Sequence, residues 1–175
     1  DALQQPFTVS SYEQLSAVLT SDLGDELLAT LDEKKIKGVG FVDAGLRHFL
    51  SKDKPVKSLA DLKGLKTRIV PIPLHKAKQV TLTGHYFWPG VIMISGATWD
   101  KISDKDKAAI EEAGKEATTE AYALAATQDA QTITFLEQNG VTINKLGDLD
   151  DLKALTSPVV TTWKQKDPLI AKFDE

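Results

Sequence analysis

The chain has 175 residues, of which 42% are hydrophobic and 26% charged, with a net charge of -4 and a pI near 5.4. This is the composition of a soluble globular protein and not of a disordered one, and the acidic balance argues against a nucleic-acid partner, which needs a basic stripe to displace counterions from phosphates. Cysteine is absent, which excludes disulfides and thiolate metal sites.

In chain order, Ser10-Ser11-Tyr12-Glu13 has capping-box spacing, and Leu23, Leu27, Leu28 and Leu31 share one helical face, so two short helices are predicted. Gly38 is expected to end this helical region, with Lys37 to Val42 a buried strand and Asp43-Ala44-Gly45 a turn. Further on, Ser58 is placed to cap a one-turn helix that Gly64 ends, and a strand follows from Lys66 to Val70. Alternation along that strand sets Arg68 opposite Leu65, Thr67 and Ile69. PIPLHKAKQ then reads as a connector. Gln79 to Thr83 and Val91 to Ser95 read as strands around an aromatic turn from Gly84 to Gly90. Ser103-Asp104-Lys105-Asp106 opens the longest periodic segment, which reaches Asn139-Gly140 and predicts a helix about 50 Å long. Its apolar stripe is Ile110, Ala113, Ala117, Ala121, Leu124 and Phe135. A strand over Val141 to Ile143 and helices from Leu149 to Phe173, broken at Pro158 and Pro168, close the chain. No apolar run approaches the roughly 18 residues that span a bilayer.

Enzyme signatures are missing: there is no G-x-S-x-G elbow, no P-loop and no G-x-G-x-x-G. His48, His75 and His85 lack zinc-ligand spacing and are expected at the surface or as caps. The cations are more informative, because 21 residues are Lys or Arg and only Arg47 and Arg68 are Arg. Arginine presents a planar fork that fits a carboxylate through two parallel hydrogen bonds, which lysine cannot do. Each Arg either pairs with a nearby acid such as Asp43 or Asp61 or serves a ligand. Tyr86-Phe87-Trp88 either walls a ligand pocket or belongs to the core.

The run GVGFVDAGLRHFLSKDKPVKSLADLKGLKTRIV resembles the solute-binding proteins of tripartite ATP-independent periplasmic (TRAP) transporters, the dicarboxylate-binding family. Ala44, Gly45, Leu46 and Arg47 match its glycine-x-arginine turn, Lys54-Pro55-Val56 its lysine-proline element, and Asp61 to Lys66 with Arg68 and Ile69 its D-L-K-G-L-K-x-R-V signature. Thr81 to His85, Ile94 to Ile102 and the long helix match as well.

The resemblance implies an α/β fold of the periplasmic binding protein type, class II-like, with a long helix spanning both lobes and part of the architecture missing. Residues 1–40 and 79–100 would be first-lobe or hinge elements, 41–70 and 141–175 second-lobe elements, and 103–139 the spanning helix. It implies a non-enzymatic periplasmic receptor, without cofactor or metal, that captures a small organic carboxylate and passes it to membrane transporter subunits, without inserting into the membrane itself. Arg68 and Arg47 would hold the carboxylate, and Phe87 and Trp88 would line the site. Since Asp1 is not an initiator methionine, export through a removed signal peptide is one expectation. The alternative is a ligand-free interaction or scaffold domain built from the same elements.

Between the positions of Val70 and Val80 the family carries helices and a ligand-contacting motif, where this chain has only PIPLHKAKQ. If the chain is naturally short, it is expected to self-associate or to bind carboxylates in the millimolar range at best, about -4 kcal/mol. If it is a piece of a longer protein, an abrupt break between Val70 and Val80 is expected instead.

Overall fold

The computed structural model describes residues 5–65 and 77–172. Ser11 opens the first helix, α1 (Tyr12–Leu19), by accepting from the backbone N–H of Gln14 at 3.1 Å. The capping pair therefore sits one residue later than Ser10 and Glu13. Gln14 Oε1 reaches back to accept from the N–H and the hydroxyl of Ser10, each at 2.9 Å. Ser21 caps α2 (Asp22–Ala29) in the same manner. A 3-10 turn over Asp32–Lys34 follows, and Lys35, at φ +57°, ends the helical region in place of Gly38. Gly38 lies inside the next strand, where a Cβ would come within 2.7 Å of the Leu28 side chain.

Among the described residues the strands form two small sheets. In one, β1 (Ile36–Leu46) pairs antiparallel with β4 (Phe87–Ser95). In the other, β3 (Gln79–Leu82) lies between β2 (Phe49–Ser51), antiparallel, and β5 (Thr142–Lys145), parallel. The turn expected at Asp43-Ala44-Gly45 is instead the end of β1. Asp43 pairs with Pro89 and Leu46 with Phe87, so β1 carries one extra residue there, a bulge that Gly45 accommodates at φ +98°. The aromatic turn likewise shrinks to residues 83–86, because Phe87, Trp88 and Pro89 already belong to β4. Pro89 is tolerated because β4 pairs only with β1 among the described residues, leaving an edge that needs no ladder donor.

Beyond α3 (Gly96–Trp99), Ser103 accepts from the N–H of Asp106 at 3.2 Å and opens α4 (Asp104–Gln138). The apolar stripe does not set its packing: Ala113 and Ala117 are exposed, and Leu124 and Phe135 are 56% and 62% exposed. The buried face is Gly114, Thr118, Tyr122 and Ala125. A Cβ on Gly114 would lie 1.7 Å from the carbonyl oxygen of Val39, so helix and strand backbones are in direct contact. Thr118 Oγ1 accepts from the N–H of Phe41 at 2.9 Å and donates to the carbonyl of Gly114 at 2.7 Å. The Tyr122 hydroxyl donates to the carbonyl of Val42 at 3.2 Å. The face of α4 was selected for closeness and hydrogen bonding, which a count of apolar residues does not register.

The long final helix, α5 (Leu149–Lys166), runs through Pro158 without a break. Proline there removes one N–H, but Ala154 and Pro158 are both exposed, so water can serve the carbonyl left free. The chain breaks only at Asp167, whose carboxylate caps α6 (Pro168–Ala171) through the N–H of Leu169 at 3.0 Å. That turn delivers Ile170, fully buried, to the main core beside Leu15, Leu19, Phe41, Phe87 and Tyr122.

Candidate functional site

Two short connections join the sheets. Residues 47–48 lead from β1 to β2, and residues 83–86 lead from β3 to β4. They lie side by side. The N–H of Arg47 donates to the carbonyl of Tyr86 at 2.9 Å, and the N–H of His85 donates to the carbonyl of Arg47 at 3.2 Å. His48 Nδ1 accepts from two consecutive amides, Thr83 at 3.1 Å and Gly84 at 3.0 Å. Gly84 permits this because it sits at φ +53°. His85 Nδ1 lies 2.8 Å from Thr83 Oγ1, and its ring stacks on Phe49 at 5.1 Å.

Arg47 projects from this junction with its guanidinium 4.6 Å from the centre of the Trp88 ring, a cation–π arrangement. Its Nε is buried and has no hydrogen-bond partner among the described residues. Among the described residues no carboxylate approaches its guanidinium within 4.0 Å, so the internal pairing with Asp43 or Asp61 does not form. Asp61 instead serves as a cap, accepting from the Ser58 N–H and hydroxyl at 3.0 Å and from the Lys57 N–H at 3.1 Å. Asp43 keeps one carboxylate oxygen buried without a partner. Arg47 also lines a cavity of about 190 Å³ together with His48 and Leu50 on one side and Asp129, Thr132 and Leu136 of α4 on the other.

The titratable groups around Arg47 are displaced toward their neutral forms. Burial raises Asp43 above the ordinary carboxylate range, with Asp129 adding to the effect and Arg47 opposing it. Burial also raises the phenols of Tyr12 and Tyr122. The same cause lowers His48, and it pushes His85 down to about 4 with help from the charges of His48 and Arg47.

Of the residues picked out in the sequence, Arg47 and Trp88 come together at this junction. Phe87 does not join them: successive residues of β4 face opposite ways, and Phe87, 3% exposed, packs edge-on against Tyr12 at 4.9 Å within the core. Arg68, its strand, His75 and the join after Val70 lie outside the described residues. Of the two roles expected for the histidines, surface or cap, His48 takes the second, accepting from the Thr83 and Gly84 amides, and both His48 and His85 are half-buried members of the junction. The sequence signal for them was adjacency, His48 following Arg47 and His85 closing Thr81 to His85. Asp129 had no such signal, since it arrives from α4 across the fold.

A larger cavity, about 540 Å³, lies between α2, β1 and α4. Its lysines are committed, Lys37 to Glu111 and Lys115 to Asp25, each at 2.7 Å. It therefore offers a carboxylate no free cation among the described residues.

The fold is that of TRAP periplasmic solute-binding proteins. The structure of one from Bradyrhizobium sp., in complex with alpha/beta-D-galacturonate, superposes with a TM-score of 0.86 at 22% identity, covering 98% of this chain and 73% of that one. Another from Roseobacter denitrificans, with bound beta-D-glucuronate, gives a TM-score of 0.85 at 22% identity with the same coverage. A solute-binding protein of Verminephrobacter eiseniae is 25% identical over 209 aligned positions, which take in 94% of this chain and 62% of the relative. Since 209 exceeds the 175 residues available, that relative carries residues within the aligned region that this chain lacks. The family model matches in two segments, residues 1–78 and 74–166, which meet in the PIPLHKAKQ stretch. With nearly the whole sequence matched in this way, the chain belongs to the DctP family, the bacterial extracellular solute-binding proteins of family 7.

Proposed function

We propose that this chain is a periplasmic receptor, or the greater part of one, that captures a small organic carboxylate and presents it to the membrane subunits of a TRAP-type transporter. The observation that carries the reading is the state of Arg47: a guanidinium with a buried Nε, stacked on Trp88, facing a cavity and paired with no acid among the described residues. A half-buried guanidinium whose Nε is out of water and unpaired carries a desolvation cost at that atom, and an anionic ligand would offset it through a two-point contact. A scaffold domain would gain by pairing Arg47 with Asp43, whose carboxylate stands in the same strand bulge with a free oxygen.

In this reading Arg68 supplies the second clamp and Trp88 a wall of the site. The β1 and β4 sheet with α1 and α2 would form one lobe and β2, β3 and β5 with α5 the other, spanned by α4, a division that, following the strand pairing, moves residues 41–46 to the first lobe and 79–82 to the second relative to the one the resemblance implies. The chain matches 62% of the length of its relative and lacks residues that the relative carries within the aligned region, so affinity is expected to be weak, about millimolar. Calorimetry with D-glucuronate, D-galacturonate and small dicarboxylates tests the proposal. Arg47→Lys keeps the charge and loses the fork, and is expected to cost roughly 1.5 to 3 kcal/mol of binding. Equal affinity of the two proteins would remove Arg47 from the site.

A further inference from the structure

We infer that His48 is a positioning residue of the carboxylate site: its unprotonated Nδ1 ties the 83–86 connection to the 47–48 connection, fixes Arg47 between them, and lets go when the ring takes up a proton. The inference rests on the proposed role of Arg47. It starts from a count of donors. Two backbone N–H groups, of Thr83 and Gly84, converge on one ring nitrogen at 3.1 and 3.0 Å. A nitrogen that accepts cannot also carry a hydrogen, so the donor pattern assigns the neutral ring with its proton on Nε2. A second proton could enter only at Nδ1, where it would meet two donors, and both amides would lose their acceptor.

Arg47 shares this fastening. Its own N–H and carbonyl are both taken by the opposite connection, through Tyr86 and His85. Four hydrogen bonds thus join the two connections, two from the Arg47 backbone and two to the His48 ring, in adjacent residues. Releasing the ring frees residues 83–84 and leaves the Arg47 backbone held from one side. The charged group that acts on the ring is Asp129 on α4; the titratable His85 couples to it from the opposite connection, and Arg47, its chain neighbour, lines the same cavity and acts on His85. Asp129 favours proton uptake, while burial opposes it and is the larger influence, keeping the ring neutral below its ordinary range.

The test has two arms on the full chain. Nitrogen-detected imidazole NMR should find His48 with its proton on Nε2 at neutral pH, and the amide signals of Thr83 and Gly84 should move together with the His48 titration. A protonated Nδ1 at neutral pH, or amides that ignore the titration, overturns the inference. The second arm measures D-glucuronate binding in wild type, His48→Asn and His48→Gln between about pH 7.5 and pH 5. Wild-type affinity should fall by roughly tenfold per pH unit once below the His48 pKa. An amide oxygen can accept from the two N–H groups but takes up no proton, so at least one variant should keep the neutral-pH affinity within about threefold and lose the acid limb. His85→Gln should retain that limb. Should both His48 variants keep the wild-type pH profile, another group controls it and the inference fails. Absence of D-glucuronate binding by wild type at neutral pH counts against the carboxylate reading itself, and the NMR arm then decides the fastening alone.

Discussion

The two long helices meet the rest of the fold in opposite ways. On α4 the residues against β1 are small or polar, Gly114, Thr118, Tyr122 and Ala125, while Leu124 and Phe135 face outward. On α5 no residue is buried, and Leu155, Val159 and Trp163 form an exposed apolar row at helical spacing. The difference shows that proximity of backbones, and not hydrophobicity, decides which helix face is structural here. A glycine that lets a strand carbonyl touch the helix brings more neighbouring atoms into contact than a leucine with nothing to touch.

The contrast can be broken most severely at Gly114. Gly114→Val drives side-chain atoms into the Val39 carbonyl, and the expected loss is about 3 kcal/mol or more of stability, seen as a lower midpoint in urea denaturation. Pro158→Ala acts on the other helix. It restores one N–H inside α5 and should strengthen that helix locally by up to about 3 kcal/mol, read as slower amide exchange over residues 149–166 with little change in the global midpoint. Thr118→Val keeps the shape but removes the acceptor for the Phe41 N–H. The expected cost is about 1 to 3 kcal/mol, the penalty for a buried amide left alone, and a midpoint equal to wild type would show that Thr118 only fills space. The smallest effect belongs to Leu155→Gln. At 66% exposure it should change stability by no more than about 0.5 kcal/mol, so a larger loss in solution would show that the α5 row is covered.

Acidification probes the junction and not the helices. His48 and His85 are both lowered in the folded state, so the unfolded chain binds protons more readily. Their contribution is complete above the ordinary histidine range and is lost as pH falls below it, that of His85 as pH falls toward about 4. A thermal midpoint that stays constant over that window in wild type would deny that either ring is held neutral.

What could be read in the sequence was what is decided locally. Ser58, and Ser103 with Asp106, form the expected caps, and Asp61 joins Ser58, because a cap depends on residues three apart and little else. The frame at Ser10 and Ser11 slipped by one, since two adjacent serines each precede an acid or amide at the right spacing, and only the helix entry angle chooses between them. The α4 stripe was misread for a different reason. Alanines fit an apolar template, but the seam was fixed by the Val39 carbonyl, a partner 75 positions away that no window contains. The family resemblance reaches across such distances because it carries the partners along with the motif, and it singles out Arg47 as a ligand-binding candidate. Phe87 shows its resolution: one strand position separates a residue of the core from one beneath the guanidinium.

The contact between Phe41 and Thr118 spans 77 positions, and the one between Val42 and Tyr122 spans 80. During folding, each closes a loop that contains the PIPLHKAKQ stretch. The entropy of closing such a loop grows only logarithmically with its length, so even doubling it adds only about 0.6 kcal/mol. A longer insert there would therefore meet nearly the same entropic barrier in bringing β1 and α4 together. Length at the join is almost neutral for assembly, which leaves evolution free to vary it for what it encloses.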